Sequence, residues 1–591
     1  MKGIVVFLAT LAVAASLTRA DEAGDLKAAR QLFMENIDAI RARDRERYLA
    51  CYRHDASLAR GGPSGFVTGF DSFAKEAGAS WPDLIEASDI HLVRVQPGIV
   101  YGTYRYRVRN GSDERQGLSE RLFVRTEEGW KIGVTGAVDA PPGTPPPPRV
   151  LVGATLIDGR GGAPVPHATV VLRDGKIDCA GNCPIPDGVE VTRLDGLWIT
   201  PGLIDAHVHF SQTGWADGRP DALDLRAQYP YEKTEADLAA KPERFGRSYV
   251  CSGVTAVWDV GGYPWTVKLH DRFEDDTRLP HVAAAGPLLS TLDHWLNLPA
   301  ERQFMVLDSE EAARRGVRYL AGIGSKAVKV WYIVQAPGLT AEKSAPFVAA
   351  AGDEAKKAGL PLIVHATGLA EAKAALRAGA SVLVHSVEDL PVDAEFLELA
   401  KKNRTVVIPT LTVLDGYVRM YRGVTERSAP IVDDPNHCVD DATLVKVAAT
   451  ATVDPTLVAA DRAAAREERA ARFTKVTRAN LKTLVDNGIP IATGTDAGNP
   501  LTLHGPAIYA EMQAMQASGM APMQVIVAST ATAAAAMGLA DRIGTVEKGK
   551  QADLVVVAAD PSKDVAGFRK IAYVVRGGVV RTVQDLSAQA R

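Results

Sequence analysis

Between residues 202 and 494, eight short apolar segments alternate with stretches long enough to be helices. The segments are Gly202–His207, Thr255–Asp259, His281–Ala284, Ala327–Trp331, Leu362–His365, Val382–His385, Val406–Pro409 and Ile491–Gly494. Strands that are each followed by a helix bury both faces as a parallel sheet, and eight of them predict an α/β fold closed as a (β/α)8 TIM barrel. The helices carry their own signals. Thr340 can cap one that ends at Gly359, and Phe473–Leu484 runs into Asn487-Gly488.

The polar residues of this alternation gather at strand exits, where barrel active sites are built. His207 and His209 lie two apart on the first strand, so both imidazoles point the same way. His365 and His385 end two later strands in the contexts Ile-Val-His and Leu-Val-His, and Asp496 follows Thr493-Gly494-Thr495 at the eighth. Lys329 sits on the fourth strand in Ala-Val-Lys-Val-Trp. Lys326 falls at the opposite parity and at the strand entry, so Lys329 is the lysine expected inside. One histidine at a strand end is usually structural. Four histidines, a lysine and an aspartate at matching positions point to a divalent-metal site. Asp205 lies one layer deeper, either bonded to an imidazole or as an ordinary core carboxylate. Tyr332, just beyond Lys329, is positioned either to bond a substrate or to pack.

Short strands flank this region. Val150–Asp158, Ala168–Arg173 and Val189–Leu194 precede it, and Ile543–Gly549, Ala552–Val557 and Ile571–Val580 follow it. These two groups, from 150–200 and 543–585, are expected to pack as one small β-sandwich beside a barrel spanning 201–542. A long polar excursion at 412–472 separates the seventh strand from the helix ending at Asn487 and reads as a lid or specificity wall. It carries Tyr417, Arg419, Tyr421 and Arg422, and an arginine there can clamp a substrate carboxylate.

The proline run Pro141–Pro148 marks a spacer over 140–149, since proline-rich chain is extended and stiff. Before it, 21–139 reads as a compact α+β domain: a helix over Leu26–Cys51, then strands Ile99–Val108 and Leu118–Val124 joined around Asn110-Gly111, then Glu127–Ile132 opening another strand. Asp44, His54 and Asp55 are candidates there for a second polar site, weighed against simple solvation. Residues 1–20 have the pattern of a secretory signal: Lys2, an apolar run Ile4–Ala15, and Thr18-Arg19-Ala20 before Asp21. Export to the periplasm or medium is expected, with no membrane insertion of the mature form. An oxidising compartment permits a local Cys179–Cys183 disulfide, while Cys51, Cys251 and Cys438 read as buried apolar residues. Net charge is −4, with no long basic run, which excludes the concentrated positive surface that nucleic acid requires.

Gly202-Leu-Ile-Asp-Ala-His-Val-His209, Val328-Lys-Val330, Val364-His-Ala366, Val384-His-Ser386 and Gly494-Thr-Asp-Ala-Gly-Asn499 together resemble the amidohydrolase superfamily over about residues 150–585. Val150–Asp158 and Gly544–Leu554 resemble its composite sandwich. His504-Gly-Pro, with Glu511 seven residues on, resembles the imidazolonepropionase-related branch that includes prolidase-like enzymes. The N-terminal domain resembles the NTF2-like (SnoaL-like) cone fold. The resemblance implies two divalent metal ions, zinc fitting the nitrogen-rich ligands best. His207, His209 and Asp496 would hold the buried ion and His365 and His385 the exposed one. Lys329 would bridge them as a carbamate. It further implies hydrolysis of a small amide or dipeptide, with Asp496 moving the proton. By their positions, Tyr332, His504, Tyr417 and Arg422 are the candidate substrate contacts. A cyclic amidohydrolase or one-metal deaminase uses the same scaffold, and a non-catalytic binding protein is the third reading. For the added N-terminal domain, association into a homo-oligomer or substrate presentation is the expected role.

Overall fold

The computed structural model describes residues 2–62, 65–111, 113–140, 148–187, 189–293, 303–334 and 338–588, with side chains of the first helix described from Glu22. The chain divides into two compact units, Met1–Pro146 with Gln589–Arg591, and Pro147–Ala588. The side chains at the expected cleavage site after Ala20 and most of the proline spacer lie outside the described residues. No helix of the described residues is long and apolar enough to cross a membrane.

In the first unit, six strands lie in the order β2-β1-β6-β5-β4-β3. They are β1 (Ala59–Gly62), β2 (Gly65–Thr68), β3 (Leu84–Gln96), β4 (Ile99–Asn110), β5 (Asp113–Thr126) and β6 (Gly129–Asp139). The Asn110-Gly111 signal holds: β4 and β5 pair up to Asn110 and Asp113, with Gly111 at φ +59°. The helix expected over Leu26–Cys51 is instead two, Lys2–Arg41 and Arg45–Ala50. Arg43 adopts a left-handed φ of 55°, and the Asp44 carboxylate caps the second helix by accepting from the Arg47 amide at 3.0 Å. Phe33 and Ile37 of the long helix pack against Val100, Tyr104, Phe123 and Ile132 of the sheet.

The second unit opens and closes on one sheet, ordered β23-β22-β21-β11-β7-β8-β9 with β10 also on β7. Its early strands are β7 (Arg149–Leu156), β8 (Val165–Arg173), β9 (Lys176–Gly181), β10 (Glu190–Arg193) and β11 (Trp198–Pro201). Its late ones are β21 (Leu554–Val557), β22 (Ile571–Arg576) and β23 (Val579–Thr582). The two sequence-distant groups do join, through β11 and β21, but in one hydrogen-bonded sheet around a shared core that includes Leu151, Val170, Leu554 and Val575. Ile543–Gly549 is not a strand, since Gly544 and Gly549 both take positive φ. The segment Ile571–Val580 is a hairpin turned by Gly577-Gly578.

Between these ends, β12 (Leu203–Val208), β13 (Val254–Asp259) and β14 (His281–Ala284) form one parallel sheet. A second parallel sheet holds β15 (Leu288–Ser290), β16 (Phe304–Val306), β17 (Val328–Trp331), β18 (Leu362–His365), β19 (Val382–Val384) and β20 (Val406–Ile408), in the order β16-β15-β17-β18-β19-β20. Among the described residues the ladder therefore does not close into the expected eight-stranded barrel. The eighth segment, 490–497, is irregular because Pro490 lacks an N–H, the Thr493 amide donates to Ala528, and Asp496 is left-handed. Backbone bonds still tie it to both neighbours: Val407 donates to Pro490 and Ala492 to Val407 on one side, and Ala206 to Thr493, Asp496 to His207 and His209 to Ala497 on the other.

Cys179 and Cys183 are bonded as expected. Cys251 and Cys438 are not the lone apolar residues the sequence suggests but a second disulfide across a separation of 187 residues. It ties the helix Glu243–Cys251 to the chain entering the helix Asp441–Ala449, within the 412–472 excursion. Closing so long a loop restricts the unfolded chain, so Cys251→Ser with Cys438→Ser is expected to lower stability by about 2–4 kcal/mol. Chemical denaturation checks this, and an unchanged midpoint overturns it.

Candidate metal centre

Strand parity decides which side chains face inward. On β17, Val328 and Val330 pack outward among the helices, leaving Lys329 inside and buried, while Lys326 is exposed. On β18 the same alternation buries Val364 outward and turns Ile363 and His365 inward. His385 stands just past β19 with φ 71°, and Asp496 has φ 62°; left-handed backbone is uncommon for such residues. Each is pinned by its own amide, His385 donating to Ile408 at 2.8 Å and Asp496 to His207 at 2.7 Å. Gly494 must remain glycine, since a Cβ there would meet the His207 Cβ at 2.7 Å.

The six expected residues converge. His209 Nε2 lies 2.9 Å and His207 Nε2 3.3 Å from Asp496 Oδ1, and His385 Nε2 lies 3.9 Å from Oδ2. The His365 and His385 rings are 4.2 Å apart, and His207 and His385 5.0 Å. Ligand atoms of His207, His385 and Asp496 lie within 4.8 Å of one another, a spacing able to hold an ion. His207 and His385 share this group, across the division the sequence suggests between two ions. Lys329 is close enough for its charge to act on His207, His365, His385 and Asp496. It has no hydrogen-bond or ion-pair partner among the described residues.

The donor set fits a cation. His209 Nδ1 donates to the Gly261 carbonyl at 2.6 Å, leaving Nε2 with its lone pair toward Asp496. His385 Nδ1 meets the Thr410 hydroxyl at 2.6 Å, which likewise leaves Nε2 free. Both ring nitrogens of His207 and Oδ1 of Asp496 are buried without a hydrogen bond. Such orphaned polar atoms are costly unless something fills them. Burial holds the His207 and His365 rings well below the usual histidine range and His385 at about 4, so they are neutral donors at pH 7. Burial opposes ionisation of Asp496, but His207 and His209 outweigh it and keep the carboxyl ionised. Burial draws Lys329 down to about 8, against the pull of Asp496 and Asp259.

Two carboxylates position this centre from behind. Asp205 bonds no imidazole; it accepts from the Thr495 amide at 2.9 Å and hydroxyl at 2.6 Å, fixing the turn that presents Asp496. Asp259, at the end of β13, accepts from the Phe210 amide at 2.8 Å and the Gly261 amide at 3.2 Å. Gly261 in turn holds His209. Asp259 was readable only as a carboxylate ending an apolar strand. Glu511 does the same for the chain after β20, accepting from the amides of Leu411 and Thr412 at 2.7 and 3.0 Å. Thr410→Val removes the hydroxyl on His385 at constant shape and is expected to weaken metal affinity about 10–100-fold. A metal titration checks it, and unchanged affinity contradicts the role.

The expected substrate contacts fare differently. The Tyr332 hydroxyl donates to the Ala341 carbonyl, so it anchors the following helix rather than a ligand. His504 lies behind His209, with Nε2 donating to the His209 carbonyl at 3.0 Å and the ring stacked on Phe245 at 3.8 Å. Arg422 points outward to Glu467, both half-exposed. Tyr417 is buried near the centre, its hydroxyl donating to Asn499 Oδ1 at 2.6 Å, while Asn499 Nδ2 donates to the Asp496 carbonyl at 3.0 Å. Three arginines absent from the expected set surround this layer. Arg219 is paired with Asp221 and reaches Asn499. Arg466 lies 5.1 Å from the Tyr417 ring centre. Arg469 pairs with Glu388 at 2.5 Å, and its charge reaches both His365 and His385. Arg466 and Arg469 sit one turn apart on the helix Ala460–Asp486, which begins earlier than its apolar pattern suggested. In the first unit, Asp44 is a helix cap, Asp55 binds Arg53 and Ser57, and His54 stacks on Phe70, so these three make no second site.

An α/β scaffold with buried imidazoles and a carboxylate gathered at strand exits is an arrangement able to hold a divalent ion beside a substrate. The Amidohydrolase family matches residues 198–581, and the chain belongs to that family, whose hydrolases act on carbon–nitrogen bonds. It is 24% identical to the ochratoxinase of Aspergillus niger over 474 residues, covering 73% of this chain and 85% of that protein. It is 41% identical to the imidazolonepropionase of Thermoplasma acidophilum, but over 76 residues, 13% of this chain and 18% of that enzyme. Among solved structures, a Xaa-Pro dipeptidase with methionine bound in its active site superposes with a TM-score of 0.56 at 22% identity, over 74% of this chain and all of that one. That likeness is one of fold.

Proposed function

We propose that this chain hydrolyses an amide bond in a small, carboxylate-bearing substrate such as a dipeptide or an N-acyl amino acid. The observation that carries the reading is the convergence of six side chains on a point where His207 and Asp496 Oδ1 are buried and unpartnered. In this reading His207, His209 and Asp496 would hold one divalent ion, His365 and His385 would hold a second, and Lys329, as a carbamate, would supply an anionic oxygen donor to the site. A buried lysine without a partner supports that modification, since an unpaired ammonium is disfavoured there. When bound, such ions, zinc by donor chemistry, would lower the pKa of water to about 7 and would polarise a carbonyl. Asp496, kept ionised by its histidines, accepts the proton of the attacking water and returns it to the leaving nitrogen. Asp205, Asp259 and Thr410 hold these groups in place and exclude competing rotamers.

The substrate class rests on the lid. Arg466 has no ion pair or hydrogen bond among the described residues and lies against Tyr417, in contact with the Asn499 layer above Asp496. A guanidinium there suits a carboxylate beside the scissile bond, and the neighbour titled as a Xaa-Pro dipeptidase is consistent with it. Arg466→Met is expected to raise KM for carboxylate-bearing substrates about tenfold or more with kcat little changed, as for lost ground-state binding. Amidated analogues distinguish the outcome: equal effects on both would remove the carboxylate assignment. A one-ion deaminase is the second reading, favoured by the tight grouping of His207, His385 and Asp496. A release assay across dipeptides, N-acyl amino acids, lactams and lactones, with and without metal, tests the whole reading. Absence of metal-dependent turnover on all of them would overturn it. Two disulfides further support export to an oxidising compartment, and we read the helix and six-stranded sheet of the first unit as the NTF2-like cone.

A further inference from the structure

One side of the metal centre is apolar. Side chains two apart on a strand face the same way, so Trp331 follows Lys329 inward at the exit of β17. It stands opposite His365 in the register of β17 with β18, and the two ring centres are 6.0 Å apart. Within these two strands, only Trp331 and His365 keep accessible surface. Phe304, on β16, has its ring centre 5.1 Å from that of Trp331, and Leu288 on β15 and Tyr231 of the helix Tyr231–Ala240 complete the cluster. Phe304, Leu288 and Tyr231 are buried, so they back the indole. Leu288 also lies against Gly261, where a Cβ would meet its side chain at 2.6 Å. Gly261 holds His209, so the apolar wall runs from behind His209 to His365.

The polar layer stands on the other side. β20, β19 and β18 separate the segment 490–497, which carries Asp496, from β17. Asn499 and Tyr417 gather about Asp496, and Arg466 lies against Tyr417. An amide whose carboxylate meets Arg466 and whose carbonyl lies at the histidines therefore directs its other half toward Trp331. An indole face favours a flat apolar group, through the area it covers and through ring stacking. A free ammonium on that half would be stripped of water against apolar side chains, whereas an uncharged acyl group would not suffer this cost.

We propose that Trp331, backed by Phe304 and Leu288, sets the acyl specificity of this site. The substrate is then an N-acyl amino acid with a flat, apolar acyl group, in preference to a dipeptide. This assignment rests on the amide hydrolysis proposed above and adds the acyl half of the substrate.

The test uses the metal-loaded full-length protein. Its substrates are N-benzoylalanine, N-acetylalanine and the dipeptide of phenylalanine and alanine, and its calorimetric ligands are benzoate and acetate. The wild type is expected to favour N-benzoylalanine over each of the other two about tenfold or more in kcat/KM, and to bind benzoate about tenfold more tightly than acetate. Both preferences are expected to fall to about twofold or less in Trp331→Ala and Trp331→Leu, and to persist in Trp331→Phe, which keeps a flat ring. Trp331→Leu decides the matter if Trp331→Ala does not fold. Metal content is expected to stay at the wild-type level in all three variants. A wild type without the preference, faster turnover of the dipeptide, or variants that lose both N-acyl substrates equally, with or without their metal, would each overturn the proposal. No turnover of any amide would instead overturn the hydrolytic reading, and the benzoate-to-acetate ratio would then decide the wall by itself.

Discussion

Replacing Asp496 by Asn is expected to lower kcat by about 10²–10⁴-fold, the range for loss of a positioned proton-transfer group. Asn matches the shape, keeps the amide bond to His207 and still accepts from Asn499 through its main chain, so the turn at φ 62° persists. It cannot take up a proton at neutral pH. Its amide also faces His207 and His209, which the carboxylate Oδ1 now approaches to 3.3 and 2.9 Å. The wild-type carboxyl lies well below the usual range. Its charge with the neighbouring histidines is therefore fully present near neutrality and lost only as pH falls through that lowered pKa. Any acid limb of the activity profile assigned to this group should disappear in the variant. Residual activity within about threefold of wild type, far short of that range, would remove Asp496 from the chemistry.

Lys329→Met separates a functional lysine from an ordinary interior one by two readouts that move in opposite directions. The ammonium is 1% exposed and unpartnered among the described residues, so an apolar replacement of similar length relieves a buried charge. The metal-free variant is expected to be as stable as the metal-free wild type or up to about 1–4 kcal/mol more stable. Metal retention and turnover should nonetheless collapse, turnover by about 10³-fold or more, because the bridging anion cannot form. A structural lysine predicts the reverse: altered stability with activity and metal content kept. Glutamate at the same position restores an anionic oxygen and is expected to recover part of the metal binding.

How much of this was legible beforehand follows from the range of the interactions. Parity along single strands is local, so His207, His209, Lys329 and His365 could be aimed inward from sequence, and Lys326 set aside. The turn at Asn110-Gly111 and the Thr340 cap were local too, and both are where expected. The misreadings concern long-range partners. Nothing near Cys251 announces Cys438, and nothing near Asp205 announces Thr495, 290 residues away. The eighth strand, expected over Ile491–Gly494, failed because Pro490 and the left-handed Asp496 break the ladder. Arg466 and Arg469 escaped notice because an arginine on a polar helix reads as solvated until the opposite wall is known. Tyr332, His504 and Arg422 were near in sequence to the right elements, but their polar atoms are used elsewhere.

The central claim is that His207, His209, Lys329, His365, His385 and Asp496 form a divalent-metal site on which carbon–nitrogen hydrolysis depends. Stripping the purified protein with a chelator and titrating zinc back, with metal content and amide turnover followed on the same samples, tests it most directly. The account predicts turnover lost on stripping and restored in step with the uptake of about two ions per chain. Turnover that is unchanged in metal-free protein would contradict it.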